Sequence, residues 1–459
     1  MKHSGRHCAA LCALLIATQI TGAAETDAAE TETAEPKAAE QEDCRIGSYR
    51  LQDGSLVDIG PGNDDGVRWR RFDGTTGALK RDANGQWRST YGWTDRTDGK
   101  TVSFSECSAG EIEFDGIRGH RIVFDITNTT FVSHDTTFAG RLVMPKGRGK
   151  VPLVILLHGA ERDSAIVGYS LQRMLPAEGI AVFVYDKRGT GRSGGSYSQD
   201  FNLLADDAVA AMLEARRLAG ARAGRVGYQA GSQGGWVAPI ASNRAPVDFV
   251  IVCFGLAVSV IDEDQQQVEM EMRDKGYSTE VIRKAQEVAH AAENVIASGF
   301  TQGFEEFNAV RERYGKEHWY KDLHGNYTWL LLPHTEEELR AMGPKFNWGT
   351  PFHYDPMPTL RAVTTPQLWI LGGKDYEAPA AETSRRIRSM IADGRPFTLA
   401  LYPQAEHGMT LFETAPNGER VSTRFAPEYF AMMRDFARDG RLSKSYGDAQ
   451  ITTAHAPGK

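Results

Sequence analysis

Five short apolar runs, separated by polar and glycine-containing segments, dominate the hydrophobic pattern of the later part of the chain. They lie at residues 151–157, 180–185, 247–254, 366–371 and 397–402. A parallel strand inside a sheet is covered on both faces, so it is apolar at almost every position. The pattern therefore predicts a mostly parallel sheet with helices on both faces.

A long interruption separates two of these runs. About one hundred residues lie between the runs 247–254 and 366–371, whereas a crossover between parallel strands needs only about a dozen. Apolar residues recur at helical spacing within 281–296. We predict an inserted helical cap at about 261–350, which would exclude water from a site beneath it and shape a pocket.

Turn signals at short spacing mark a different pattern before the sheet. They are Asp53-Gly54, Asp73-Gly74, Asn84-Gly85 and Asp98-Gly99. Such pairs between short alternating runs are typical of antiparallel hairpins. We predict a small antiparallel β domain over 44–135 and a separate larger domain over 136–459.

The amino terminus has the pattern of an export signal. Lys2 and Arg6 precede an apolar stretch at 8–20, and small residues follow. We predict a signal peptide over 1–24 and a periplasmic or secreted location, with an uncleaved anchor as the alternative. No later stretch is long and apolar enough to span a bilayer, so we expect no integral membrane segment after cleavage.

Charge is concentrated next to this signal. Residues 25–43 hold eight acidic residues, one lysine and no aromatic residue, and we predict a disordered acidic linker. The formal net charge of the whole chain is −8, so the folded part is nearly neutral. Nothing in that balance favours binding to nucleic acid or to an anionic membrane surface. The oligomeric state is open.

Three of the five cysteines lie outside the predicted signal. Cys253 is inside an apolar run and is expected in the core. Cys44 and Cys107 bracket the predicted β domain, and an oxidising compartment would allow them to pair. The disulfide is a hypothesis that follows from the predicted export.

Small residues surround one serine at the end of a strand-like run. The segment reads Ala230-Gly231-Ser232-Gln233-Gly234-Gly235, and a helix-compatible stretch begins at Trp236. This is close to G-x-S-x-G, a strand-to-helix turn too tight for large flanking side chains, which leaves the serine oxygen exposed. Ala230 replaces the first glycine of that pattern. We predict Ser232 as a nucleophile, and an ordinary turn is the alternative.

Two further polar residues follow strand-like runs. Asp375 comes shortly after the run 366–371, and His407 comes after the run 397–402. Polar residues beyond the carboxyl ends of parallel strands meet at one edge of the sheet. We predict that His407 takes the proton of Ser232, and that Asp375 fixes the tautomer of His407 and stabilises its charge.

A fourth motif concerns the negative charge that develops during acyl transfer. The run 151–157 ends in His158-Gly159-Ala160-Glu161. We predict that the backbone amides of Ala160 and Gln233 form an oxyanion hole, and that His158 braces the loop. Glu161 and Glu406 flank the predicted site, where either could bind a substrate amine or pair with an arginine.

With these motifs the chain resembles the α/β-hydrolase superfamily, and within it secreted bacterial esterases of the esterase D kind and dienelactone-hydrolase-like proteins. The resemblance covers about two thirds of the chain, from about residue 139 onward, and the order Ser, Asp, His also belongs to this superfamily. It rests on 158–161, 185–193, 231–235, 372–375 and 406–408. It implies an α/β-hydrolase fold and points to ester substrates.

A glycine motif at 189–194 fits G-x-G-x-x-G after a strand-like run. A dinucleotide site would need a helix directly after its first glycines, but here the loop continues. We interpret the segment as a structural brace beside the active site. We see no cofactor or metal motif.

These features predict an exported serine hydrolase that cleaves carboxylic esters of small to medium acyl groups through an acyl-enzyme. Trp236 is a candidate substrate contact. A serine peptidase or aminopeptidase, an acyltransferase or a thioesterase would use the same residues. A non-catalytic binding protein, with the β domain as its functional part, is a further alternative.

Overall fold

Eight strands close into an antiparallel barrel at the amino-terminal side of the computed structural model, which describes residues 43–62, 66–442 and 444–454. Each strand pairs with the next, and the eighth closes on the first. Of the four predicted turns, those at Gly54, Gly74 and Gly85 connect neighbouring strands, whereas Gly99 lies inside the sixth. The strands are β1 (Gly47–Leu51), β2 (Leu56–Pro61), β3 (Val67–Arg70), β4 (Thr76–Arg81), β5 (Trp87–Thr90), β6 (Thr97–Phe104), β7 (Glu111–Phe114) and β8 (Ile117–Arg121).

The interior of the barrel is a small apolar core around Trp69. The Trp69 ring packs edge to face on Phe114, with 5.0 Å between ring centroids. Its indole N–H donates to Ser89 Oγ at 2.7 Å. A disulfide joins Cys44, before β1, to Cys107, between β6 and β7. Small domains bury little apolar surface per residue, so such a cross-link contributes a large share of their stability.

The disulfide gives a stability prediction. Replacing both Cys44 and Cys107 with serine opens a loop closed over a sequence separation of 63 residues, which corresponds to about 4 kcal/mol in the loop-entropy description. We expect the barrel to unfold at least about 10 °C lower, followed by near-ultraviolet circular dichroism. Ser108→Ala, at an exposed position next to Cys107, is the control and should leave the transition unchanged. An unchanged transition in the double variant would contradict the prediction.

The boundary of the β domain differs from the predicted residue 135. The barrel ends with β8 at Arg121, and the next strand, at 125–133, belongs to the large sheet instead. The strand at 125–133 packs with the large sheet through Phe131, whose ring stacks on Phe138 and packs against Phe183. The predicted signal peptide, 1–24, and the predicted linker, 25–43, lie outside the described residues, apart from Asp43.

The large sheet has nine strands, of which six form a parallel centre flanked by antiparallel edge strands. This confirms the predicted α/β architecture. The order is β19-β16-β15-β14-β13-β11-β12-β10-β9, and β17 and β18 form a separate hairpin. The strands are β9 (Asp125–Ser133), β10 (Thr136–Met144), β11 (Val151–Leu157), β12 (Ala181–Tyr185), β13 (Ala223–Gly231), β14 (Phe249–Cys253), β15 (Gln367–Gly372), β16 (Phe397–Tyr402), β17 (Thr410–Thr414), β18 (Arg420–Phe425) and β19 (Gln450–Thr453).

Helices cover both faces of this sheet. Alternate residues of β11 enter two cores on opposite faces of the sheet. Ile155 packs in the core under the helices at 201–219, 234–244 and 380–392. Leu156 packs in the core under the helices at 171–177 and 429–439. This is why the run 151–157 is apolar throughout. The helices outside the cap are α1 (Ala165–Gly168), α2 (Leu171–Ala177), α3 (Phe201–Ala219), α4 (Gly234–Arg244), α11 (Ala380–Ala392) and α12 (Tyr429–Asp439).

The segment between β14 and β15 is helical and has a core of its own. That core includes Trp319, which is fully buried. The cap was predicted at about 261–350, and the helices that build its core are α5 (Val260–Asp274), α6 (Thr279–Ala297), α7 (Phe304–Tyr314), α8 (Thr328–Leu331) and α9 (Glu336–Met342). The last helix of the segment, α10 (Met357–Ala362), packs on the core of the large sheet through Leu360.

The barrel docks on the large domain at three places: on α2, on the hairpin β17–β18, and on α12, where the Phe72 ring packs against Phe430. Arg173 of α2 pairs with the buried Asp58 of β2, at 2.8 and 3.1 Å. The Trp93 amide donates to the Ser422 carbonyl of β18 at 2.9 Å, and the Phe425 amide donates to the Gly74 carbonyl at 2.8 Å. Among the helices of the described residues, none is long and apolar enough to cross a membrane.

Candidate active site

Ser232 lies in a sharp turn between β13 and α4. Its φ is +50°, in the left-handed region that residues other than glycine seldom occupy. Its amide donates to the Cys253 carbonyl at 3.1 Å, and its carbonyl accepts from the Gly235 amide at 2.7 Å. The strain is therefore maintained by hydrogen bonds to β14 and to the first turn of α4.

The small neighbours of Ser232 are required by close packing. A Cβ at Gly234 would lie 3.0 Å from both the Ala230 Cβ and the His158 carbonyl oxygen. A Cβ at Gly235 would lie 2.9 Å from the Gly255 Cα. Ala230 is fully buried, so its methyl group fits only because residue 234 has no side chain.

Asp375 and His407 lie beside each other beyond the ends of β15 and β16. His407 Nδ1 is 3.1 and 3.0 Å from the two Asp375 carboxylate oxygens. Asp375 is fully buried, and one of its oxygens also accepts from the Ala378 amide at 2.8 Å. The Phe254 ring packs edge-on against the His407 ring, with 4.8 Å between centroids. These contacts hold the imidazole in one plane.

The other ring nitrogen of His407 faces a carboxylate that the sequence analysis did not single out. His407 Nε2 is 3.6 Å from Glu377 Oε2. Among the hydrogen bonds of the described residues, none joins Ser232 Oγ to His407. Catalytic hydrogen bonds are often long before substrate binds. Glu377 lies two residues after Asp375 in the same loop, and that proximity is the only signal the sequence offers for it.

Carboxylates surround His407 and shift its titration. Burial alone would lower the pKa of His407, but Asp375 and Glu377 raise it to about 10. Burial raises the pKa of Glu377 to about 7, against the attraction of His407. Burial also raises the pKa of Glu263, on cap helix α5, well above its usual range. The site is therefore lined by carboxyl groups, and its net charge changes near neutral pH because Glu377 titrates there.

Ala160 lies in the loop after β11, and this loop is braced from three directions. Lys187 Nζ donates to the Gly159 carbonyl at 2.7 Å, and the Tyr197 hydroxyl donates to the Ala160 carbonyl at 2.5 Å. His158 Nε2 lies 2.7 Å from the Tyr185 carbonyl oxygen. His158 thus takes the bracing position predicted for it.

The two amides predicted as oxyanion donors are both available. Within the described part of the chain, neither the Ala160 nor the Gln233 amide donates a hydrogen bond to another protein group. Gln233 is the residue directly before α4, so its amide lies at the positive end of that helix. The arrangement leaves both donors free for a ligand oxygen.

Neither flanking glutamate pairs with an arginine in the described structure. Glu161 accepts hydrogen bonds from the Tyr169 hydroxyl and the Gly159 amide. Burial opposes its charged form, but His158 and Lys187 lower the pKa of Glu161 below its usual range. Glu406 accepts from Ser422 Oγ at 2.7 Å. Both carboxylates therefore organise the loops that carry the predicted catalytic groups.

Trp236 does not have the substrate-facing position predicted for it. It is 5 % exposed, its indole N–H donates to the Val258 carbonyl at 2.8 Å, and its ring stacks on Phe201. The first turn of α4 directs this side chain into the core between α3 and the cap. Trp236 is a packing residue.

The glycine motif at 189–194 forms an irregular loop, and the next helix, α3, begins only at Phe201. Asp186 holds this loop, because its carboxylate accepts hydrogen bonds from Ser164 Oγ and from the Ile166 and Arg192 amides. The loop has the bracing role predicted for it. Among the described residues, no three His, Cys, Asp or Glu side chains are arranged to hold a metal ion.

Arg420, on hairpin β17–β18, connects the Asp375 loop with the cap. Its guanidinium donates to the Lys374 carbonyl at 2.6 Å and lies 3.6 Å from the centroid of the Tyr376 ring. It is also 3.4 Å from Asp274 at the end of α5. The same hairpin contacts the barrel through Ser422 and Phe425. Barrel, cap and Asp375 loop thus meet at one hairpin.

Comparisons with known proteins give the following similarities. The family described as serine aminopeptidase, S33, matches residues 150–273. No curated protein matches the chain. An acylaminoacyl peptidase of Pyrococcus horikoshii is 13% identical with a TM-score of 0.38, over 76% of this chain and 52% of that one. This chain therefore spans about half the length of that peptidase.

Two further solved structures are similar at comparable levels. An esterase of Pyrococcus furiosus is 15% identical with a TM-score of 0.39, over 62% of this chain and 84% of that one. A proline iminopeptidase of Mycobacterium smegmatis is 18% identical with a TM-score of 0.41, over 68% of this chain and 97% of that one.

Proposed function

We propose that this chain, a serine hydrolase of the α/β-hydrolase superfamily, cleaves carboxylic esters of small to medium acyl groups. The observation that carries the proposal is the strained Ser232, held at φ +50° at the end of a central strand. Backbone strain of this kind is found where a side chain must be presented to a reaction. The helical cap, whose Glu263 lies close enough to His407 to raise its pKa, supports a site of limited size.

The proposed reaction has two halves. Ser232 Oγ attacks the ester carbonyl while His407 takes its proton, and the Ala160 and Gln233 amides bind the carbonyl oxygen as it becomes negative. The alcohol leaves with the proton from His407, which forms the acyl-enzyme. Water, activated by His407, then attacks the acyl-enzyme and releases the acid and free Ser232. Asp375 orients the imidazole throughout.

A peptidase is the second candidate, and a specific observation favours it. The Glu377 carboxylate lies 3.6 Å from His407 Nε2, and an acidic group at this position suits a substrate that carries an amine. The family that matches 150–273 is described as an aminopeptidase. An acyltransferase or thioesterase would differ only in the acceptor or leaving group.

The test is a substrate series with active-site labelling. Hydrolysis of p-nitrophenyl esters from acetate to palmitate is compared with hydrolysis of aminoacyl anilides, and a fluorophosphonate probe reports an activated serine. Ester turnover with a short-chain optimum supports the esterase. Preferential anilide cleavage reassigns the protein as a peptidase. Absence of labelling would reject both and favour a binding protein.

Glu377 gives a prediction about pH dependence. Catalysis needs neutral His407, so activity falls as the pH drops through the pKa of His407, which Asp375 and Glu377 raise. Glu377→Gln removes one of these charges and lowers that pKa. We expect the acidic limb of kcat/KM to move to lower pH by about one unit.

The control for this prediction is Glu312→Gln, which removes one exposed carboxylate from cap helix α7. Its pH profile should match that of the wild type. An acidic limb that stays in place in Glu377→Gln, or moves to higher pH, would show that Glu377 does not act on His407.

Arg420 gives a prediction about positioning. Arg420→Gln removes the guanidinium that donates to the Lys374 carbonyl, lies over the Tyr376 ring and pairs with Asp274. The Asp375 loop then loses its link to the hairpin and to the cap. We expect kcat to fall about tenfold to a hundredfold, because small misplacements of catalytic groups have effects of this size. Steady-state kinetics and the melting temperature are measured together.

Arg424→Gln is the matched control on the same hairpin, because Arg424 instead donates to the Asp73 carbonyl of the barrel. We expect it to leave kcat within about twofold of the wild type. Equal losses in the two variants would mean that hairpin docking, and not the Asp375 loop, controls turnover.

We also infer that the protein works outside the cytoplasm. Support comes from the signal-like pattern at 1–24 and from the Cys44–Cys107 disulfide, since such bonds persist in oxidising compartments. Cell fractionation with sequencing of the mature amino terminus tests this. An intact amino terminus in a cytoplasmic fraction would contradict it.

A further inference from the structure

The outermost strand of the large sheet, β9, has one open edge. It pairs with β10 over nine consecutive residue pairs without a register shift, from Asp125 with Met144 to Ser133 with Thr136. No other strand pairs with it within the described residues. Its opposite edge therefore presents backbone groups that no described strand pairs, and among these groups the Thr130 carbonyl accepts only a 3.3 Å hydrogen bond from Thr129 Oγ1.

The hairpin geometry identifies these groups. Only His134 and Asp135 connect the two strands, and in such a two-residue hairpin the pair next to the turn exchanges hydrogen bonds. The odd-numbered residues of β9 therefore bond to β10. The N–H and C=O groups of residues 126, 128, 130 and 132 point outward.

This edge lacks the features that usually protect an edge strand. Natural edges carry lysine, proline, a bulge or an inward charge, but residues 126–133 contain no ionisable side chain and no proline. Ile126 is 56% exposed and Val132 is 63% exposed. The only charge of the strand, Asp125, is neutralised by Lys146 and Arg222. The edge is therefore flat, uncharged and partly apolar.

We propose that β9 pairs with β9 of a second copy of this chain, antiparallel about a two-fold axis at Thr129, so that the two sheets become continuous. A two-fold interface brings the same patch of both copies together, so the patch must complement itself. In this register Ile126 of one copy lies opposite Val132 of the other, and Asn128 lies opposite Thr130.

This register lets the outward-pointing backbone groups form hydrogen bonds and also places compatible side chains opposite each other. Each new hydrogen-bonded pair joins two even-numbered residues, which are those with outward-pointing groups. The two most exposed apolar side chains of the strand cover each other, an arrangement that stabilises antiparallel pairs. Asp125 lies opposite Ser133 and next to His134, so like charges do not meet.

The first test compares the mass in solution of the wild type and Thr130→Pro by light scattering after gel filtration. The Thr130 N–H points outward, so proline there blocks the new ladder without removing a bond to β10. We expect two chains per particle for the wild type and one for Thr130→Pro, which should keep the circular dichroism spectrum of the wild type. Thr130→Ser, which keeps the N–H, should stay dimeric.

The second test fixes the register. Thr129 would face its own copy across the axis at a Cα–Cα distance of about 4.5 Å, so Thr129→Cys should form a disulfide-linked dimer under mild oxidation. Thr127→Cys is the matched control, since its two copies would lie about 14 Å apart. The cysteine variants are made in a chain with Cys8 and Cys12 replaced by serine. The other native cysteines do not interfere, because Cys44 and Cys107 are bridged and Cys253 is buried.

A monomeric wild type between about 1 and 100 µM overturns the proposal. So does a dimer that survives Thr130→Pro and does not cross-link at residue 129, because it would use another surface. Cross-linking at 127 in preference to 129 would overturn the register.

Discussion

Ser232→Ala is expected to lower kcat/KM for ester hydrolysis by about 10⁴- to 10⁶-fold. Removing the nucleophile of a serine-histidine-aspartate group costs nearly as much as removing the whole group, because its members act as a unit. The remaining rate over water would come from the Ala160 and Gln233 amides and from substrate binding. The fold should persist, because the turn is held by the backbone hydrogen bonds of residue 232 and not by its hydroxyl.

The measurement is steady-state kinetics with p-nitrophenyl acetate, together with fluorophosphonate labelling. Ser196→Ala, in the exposed part of the loop after the glycine motif, is the control and should keep full activity and labelling. A Ser232→Ala protein that still labels would show that another serine is the nucleophile. A protein with normal turnover and no labelled serine would exclude an acyl-enzyme.

The strands and their order along the chain could be predicted from local patterns. The runs 151–157 and 366–371 form β11 and β15, because strands covered on both faces are apolar throughout. The same logic placed Asp375 and His407 at neighbouring strand ends, where the structure brings them within hydrogen-bond distance. Their joint action on Ser232 stays a prediction until kinetics test it.

Features that depend on distant partners could not be predicted in this way. The boundary between barrel and sheet rests on Phe131, whose pattern in β9 fits a barrel strand equally well until its partner Phe138 is known. The side chain of Trp236 is directed by the orientation of α4, which periodicity over a few residues does not define. Barrel closure likewise depends on β8 reaching β1.

The carboxylates around His407 could not be predicted from local sequence patterns either. Glu377 is close to Asp375 in sequence, but Glu263 comes from the cap, more than a hundred residues earlier along the chain. Arg420 is near neither and still contacts the Asp375 loop through the Lys374 carbonyl. A motif search finds the groups that react, whereas the groups that tune and support them are scattered over several loops.

Asp375→Asn is expected to lower kcat by about 10⁴-fold, the second largest effect. Both carboxylate oxygens of Asp375 face His407 Nδ1, and the carboxyl is fully buried. An amide of the same shape cannot stabilise the imidazolium, and its NH₂ group favours the tautomer with the proton on Nε2. That tautomer cannot accept the proton of Ser232.

The pH profile distinguishes this electrostatic role from a structural one. Asp375 is among the causes that raise the pKa of His407, so the residual activity of Asp375→Asn should persist to lower pH than wild-type activity. The Ala378 amide donates to Asp375, and the asparagine carbonyl can still accept that bond, so the loop and the melting temperature should change little. The contrary result would be a much lower melting temperature together with an unshifted pH profile for the residual rate. It would mean that Asp375 stabilises the loop and does not orient His407.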